Sequence, residues 1–105
     1  MIFLDRYEVI EGAEVFSGGQ ARIYQCLDSF EGIHVAVKTT DLTTALRART
    51  HERDVKSLKR LSHDNIIELL DWGAENNIGF VVLPLMSANL DTYLAIIRKS
   101  PTSTR

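Results

Sequence analysis

"IHVAVKT", residues 33–39, is the stretch whose reading decides the fold. It is rich in β-branched residues, and "DSFEG" at 28–32 before it has the composition of a turn. Read as a strand, it alternates: Ala36 and Lys38 share one face, Val35 and Val37 the other. A small residue beside a lysine suits a ligand with a flat apolar part and an anionic part. Alanine leaves room for a ring, and lysine reaches phosphate as a point charge. Alone, "VAVK" says little, because a lysine near a strand end is usually just solvated.

The flanks add to it. Tyr7 to Val15 reads as an exposed strand that Gly18-Gly19 interrupts, and Arg22 to Leu27 resumes as a second strand. Downstream, Asp41 is a candidate N-cap. Residues 44–61 are good helix formers with Val55, Leu58 and Leu61 on one face, and "SHDN" at 62–65 ends that helix. Ile66 to Trp72 and Ile78 to Leu85 read as strands around "GAENN", with Pro84 closing the second because it has no backbone donor. Leu90, Tyr93, Leu94 and Ile97 fall at i, i+3, i+4 and i+7, a short amphipathic helix. The expected class is α+β: a five-stranded antiparallel sheet with one main helix and a short C-terminal helix. Residues 1–98 form one domain in this reading, and 99–105 a polar tail.

Composition bounds the function. With 105 residues, 45% hydrophobic and 25% charged, the chain suits one small globular domain. The net charge of −2 gives no global argument for a nucleic-acid partner. Charge is uneven, however. Arg47 to Arg60 holds six Lys or Arg against Glu52 and Asp54, whereas Asp64 to Ile97 holds five acids and no Lys or Arg. The basic stretch reads first as a solvated helix face and second as a docking surface for an acidic partner. No aromatic platform lies among those charges, so nucleic-acid binding is not expected. Cys26 is the only cysteine, which excludes an intrachain disulfide and fits a reducing, cytoplasmic setting. "MIFLDRYEVI" has an early acid and no long apolar core, unlike a signal peptide. The longest apolar run, "FVVLPLM", is too short to span a bilayer.

Four stretches then stand in order: "VFSGGQARIY" (15–24), "VAVK" (35–38), "RDVKSLKRLSHDNII" (53–67) and "FVVLPLMSANL" (80–90). Together they resemble the N-terminal lobe of eukaryotic-type Ser/Thr protein kinases, over Tyr7 to Ile97. They match the Gly-rich loop, the third strand, helix C with its following turn, and the fifth strand with the hinge. "SGGQARIY" is most similar to the bacterial-type variant of the loop. Gly18 matches the family's second glycine, while Phe16 stands at the first and Ala21 at the third.

The resemblance implies an ATP site. Phe16, Ser17, Gly18, Gly19, Gln20 and Ala21 would fold over the phosphates, and Val15, Ile23 and Ala36 would line the adenine. Lys38 would contact the α- and β-phosphates. Leu83 takes the gatekeeper position, with Pro84 and Met86 on the hinge. Asp54 stands where the family pairs a Glu with that lysine; Glu52, two residues away, is about 200° round a helix and cannot face Lys38. His63 is expected to brace the turn after the helix. The catalytic loop (H-R-D) and the D-F-G motif, which carry the base and the Mg2+ ligands, are not in this sequence. The resemblance therefore implies a lobe that works with a larger one, contacted through Leu90, Tyr93, Leu94 and Ile97, with Mg2+ held only by that larger lobe. By itself the chain is expected to be inactive. The alternative is a non-catalytic pseudokinase-like module, or a split-kinase subunit completed in trans.

Overall fold

The computed structural model describes residues 1–13, 16–18 and 21–85, with backbone only at 16–18 and 21. The elements run β1 (Ile2–Phe3), β2 (Tyr7–Val9), β3 (Phe16–Gly18), β4 (Ala21–Asp28), β5 (Ile33–Asp41), α1 (Ala45–His63), β6 (Asp71–Glu75) and β7 (Ile78–Pro84). Every pairing is antiparallel, in the order β1-β2-β4-β5-β7-β6, with β3 also on β4. Among the described residues the result is a curled antiparallel sheet carrying one helix.

The strand count differs from the expected five. The single strand expected over 7–15 is two segments along the same edge of β4: Val9 lies opposite Cys26, and Phe16 opposite Ile23. The chain leaves the ladder after Ile10, whose N–H donates to the Gln25 carbonyl, and turns through Gly12 at φ +82°. β1 is an additional strand. It folds back on β2 through Leu4 and Asp5, both at positive φ.

The strand expected from Ile66 starts only at Asp71. The Ile66 N–H instead donates to the Leu61 carbonyl at 2.9 Å, and the Leu69 N–H to the Ser62 hydroxyl at 3.1 Å. These bonds hold the segment on the end of the helix, away from the ladder. The second hairpin turns on Asn76-Asn77 alone, both at positive φ, so Gly73 to Glu75 of "GAENN" belong to β6. Asparagine accepts that left-handed geometry more readily than most residues. β7 ends at Pro84 as expected.

Thr44, and not Asp41, caps the helix: its hydroxyl accepts from the Arg47 N–H at 3.2 Å. Asp41 accepts from the Thr43 N–H and pairs with the Arg47 guanidinium at 2.8 Å. Asn65, at φ +60°, terminates the helix. His63 is exposed, and Ser62 makes the tie expected of it. The expected C-terminal helix of Leu90, Tyr93, Leu94 and Ile97, and the tail at 99–105, lie outside the described residues. Among the described residues no helix is long and apolar enough to cross a membrane.

Two cores occupy the two faces of the sheet, as alternation requires. One joins Ile23, Ala36, Val81 and Leu83 to Val55 and Leu58 of α1 and to Ile67. The other joins Cys26, Val35, Val37, Phe80 and Val82 to Phe3 and Tyr7 from the N-terminal hairpin. Burial pushes the Cys26 thiol up to about 12, so it is an inert core residue. Tyr7 ties the hairpin down through its hydroxyl, which donates to Asp71 at 2.6 Å. Arg6 forms a two-pronged pair with Asp28 at 2.8 Å, which holds that carboxyl below the usual carboxylate range.

The helix packs tightly on the sheet at Gly79. A Cβ there would stand 2.6 Å from Nδ1 of His51, whose ring is buried on β7. Gly79→Ala is therefore expected to cost about 1–3 kcal/mol by overpacking. Urea denaturation of Gly79→Ala, His51→Ala and the double variant checks it. The double variant should lose less than the sum of the singles, because removing the ring makes room for the new methyl group.

Candidate functional site

β5 runs through the middle of the sheet, and Lys38 lies opposite Ile23 on β4 and Val81 on β7. The strand continues to Asp41, so Lys38 is not near a strand end. Its side chain is 8% exposed and that of Asp54 is 1% exposed. The Lys38 ammonium donates to Oδ2 of Asp54 in a buried ion pair. Glu52 is exposed on the other side of the helix. Oδ1 of Asp54 has no hydrogen-bond partner among the described residues.

Position on the helix explains the pair. His51, Asp54, Val55 and Leu58 are the buried positions of α1, one stripe at spacings of three and four. His51 sits over Gly79, and Asp54 is one turn further along on the same stripe. Gly79 and Val81 share a face of β7, and Val81 is the register neighbour of Lys38. The side chain missing at Gly79 lets the helix approach the sheet, so the short aspartate arm reaches the ammonium. Charges held this far from water are tolerated only when paired.

His51 gives the seat a pH dependence. Burial pushes its pKa below the ordinary 6.5, against the opposing influence of the Gly73 backbone and the Asp54 charge. Lys38 adds to the lowering, and Glu52 opposes it. The unfolded chain therefore takes up the proton first as pH falls. Stability from neutral His51 is complete above 6.5 and declines as pH drops from there through the folded value. The urea midpoint should fall between about pH 7 and pH 5. His51→Gln should flatten that slope, and an unchanged slope would show that other groups carry it.

The other expected site residues divide into two sets. Ala36 lies opposite Leu83 in the β5–β7 ladder, and both are buried on the Lys38 face with Ile23. Pro84 lies opposite Val35 at the end of β7. In the loop, Phe16, Ser17 and Gly18 form β3, and Gly18 lies opposite Ala21. β3 thus pairs with the start of β4, the strand that flanks Lys38. Val15, Gly19, Gln20 and Met86 lie outside the described residues, as do the side chains of Phe16, Ser17, Gly18 and Ala21. His51 and Gly79 were missed in the sequence reading. A single histidine and a single glycine carry no periodic signal, and only their contact gives them a role.

No protein-family model matches the chain. Several curated relatives do. The DNA damage-responsive serine/threonine-protein kinase RqkA of Deinococcus radiodurans is 33% identical over 100 residues, covering 91% of this chain and 14% of the relative. Cyclin-dependent kinase F-4 of Oryza sativa subsp. japonica is 31% identical over 88 residues, covering 83% of this chain and 19% of the relative. The chain thus spans less than a fifth of the length of either kinase. Similarity at this level, along nearly all of the chain and on a sheet-plus-helix fold of this order, has one reading. The chain belongs to the serine/threonine protein kinase family and corresponds to its N-terminal lobe.

Proposed function

We propose that the chain is the nucleotide-clamping lobe of an ATP-dependent protein serine/threonine kinase. The observation that carries this reading is the buried Lys38–Asp54 pair on the same sheet face as Ile23, Ala36 and Leu83. Residues and ligand suit each other. A small alanine between two aliphatic side chains accepts the flat face of a purine, and the adjacent ammonium accepts phosphate oxygens. Asp54 fixes the direction of the ammonium, and its Oδ1, without a partner among the described residues, leaves it a second position for a proton donor. The β3–β4 hairpin covers the phosphates with backbone N–H groups. The backbone after Leu83, at Pro84 and Met86, meets the adenine edge. Mg2+ adds charge neutralisation at the phosphates when bound, and its ligands belong to a larger lobe.

In this role the chain binds and orients ATP but does not transfer its γ-phosphoryl group unaided, because its sequence has no H-R-D and no D-F-G. Backbone NMR of the purified chain titrated with ATP tests the proposal. Shifts should concentrate at Ile23, Ala36, Lys38 and Leu83 and disappear in the Lys38→Met/Asp54→Leu double variant, which removes both charges together. Shifts elsewhere, or none at millimolar ATP, would defeat the nucleotide reading. Transfer of radiolabelled phosphate by the purified chain would defeat its dependence on a larger lobe.

A further inference from the structure

We propose that the outer face of α1 is a docking surface for an acidic protein segment, read from observations independent of the ATP site. Arg53, Lys56, Ser57 and Arg60 line one cleft of about 400 Å3. They recur at i, i+3, i+4 and i+7, so they form a continuous stripe along two turns of the helix. At 100° per residue, Lys56 stands about 160° and Arg60 about 120° around the axis from the buried Asp54. The stripe therefore faces away from the sheet, and all three cations are exposed.

Two other cations of the helix are engaged. Arg47 is paired with Asp41, and the Lys59 ammonium lies 4.2 Å from the centre of the Trp72 ring. Among the described residues, no carboxylate lies within 4.0 Å of a charged nitrogen of Arg53, Lys56 or Arg60. Glu52, one turn before Lys56, and Asp64, one turn after Arg60, do not close onto them. Three like charges on two turns repel one another unless counter-charge is supplied.

Charge decides the occupant. The chain's own residues 86–105 carry Asp91 against Arg98, Lys99 and Arg105, so they are a poor match for a basic cleft. Nucleic acid is disfavoured by the absence of aromatics in the lining, since single strands use stacking platforms. A single phosphate group is also a poor fit, because the cations spread over about 10 Å of helix and do not converge on one point. A peptide with several carboxylates spaced over that length places one against each cation, and Ser57 supplies a hydroxyl donor between them.

Fluorescence anisotropy with a short labelled peptide of Glu and Ala tests this in about 0.15 M salt. Binding should weaken roughly tenfold in the Arg53→Gln/Lys56→Gln/Arg60→Gln variant. Removing the same number of charges from Arg22, Arg47 and Lys59, which lie off this stripe, should change it less than about twofold. All of these are exposed or half-exposed positions, and circular dichroism confirms that each variant stays folded. No binding at that salt, or equal loss in both triple variants, overturns the proposal. So does tighter binding of a mixed-sequence oligonucleotide through the same three residues. Self-association of the chain that the first triple variant abolishes would make a second copy the occupant and overturn it as well. Failure of ATP to shift Ala36 and Leu83 leaves these outcomes unchanged, so the two proposals fail separately.

Discussion

Asp54→Leu is expected to destabilise the chain by about 3–5 kcal/mol while Lys38 remains. The ammonium would stay almost wholly buried with no counter-charge, on a strand that cannot turn it toward solvent without breaking both ladders. Lys38→Met should cost a similar amount for the converse reason: Asp54 would stay buried, and both of its oxygens would lack a partner among the described residues. The Lys38→Met/Asp54→Leu double variant should recover most of the loss, because replacing a buried ion pair by apolar side chains of similar size is often neutral or stabilising. Urea denaturation of the four proteins measures this as a double-mutant cycle. Additive losses would mean that the two groups do not depend on one another. A double variant that is stable but no longer binds ATP would show the pair to be retained for function at little benefit to folding.

Leu58→Ala is expected to cost about 2–5 kcal/mol. Leu58 is completely buried, one turn beyond Asp54, among Ile23, Ala36, Val55, Ile67, Val81 and Leu83. It is the central knob by which the helix grips the sheet, so truncation leaves a cavity at the contact that positions Asp54. Leu61 is only partly buried at the edge of the same cluster. Leu61→Ala should therefore cost clearly less, and equal losses in the two variants would mean that the helix is rotated from the arrangement described here. Thermal or urea unfolding of both gives the comparison directly.

Much of this was legible in residue order. Alternation in "VAVK" separates Ala36 and Lys38 from Val35 and Val37, and the two cores divide on that line. Helical spacing puts Asp54 and Glu52 on different sides of the helix, because two positions are more than half a turn; the choice of Asp54 came with the family resemblance. What was not legible depended on local competition. Ile66 to Leu70 is apolar enough for a strand, yet the N–H groups of Ile66, Ile67 and Leu69 go to the end of the helix, and that of Leu70 goes to Val82. Asp41 and Thr44 are both good caps, and Asp41 is already bonded to Thr43 and Arg47. The first strand breaks near Gly12, where a flat pattern of Tyr, Val and Ile hides the turn.

Pattern alone was enough for the class of fold and the faces of the strands, because these follow from periods of two and 3.6 residues; the identity of the lysine and its acid came with the resemblance to the kinase family. Whether Lys38 is solvated or buried was decided by tertiary structure. β4 and β7 flank it on either side, and α1 closes over it. The reach of an aspartate in place of a longer acid was decided there too, by the missing side chain at Gly79 that admits the His51 ring. A close approach between a helix and a strand nearly 30 residues apart has no local period, so no reading of adjacent residues could contain it.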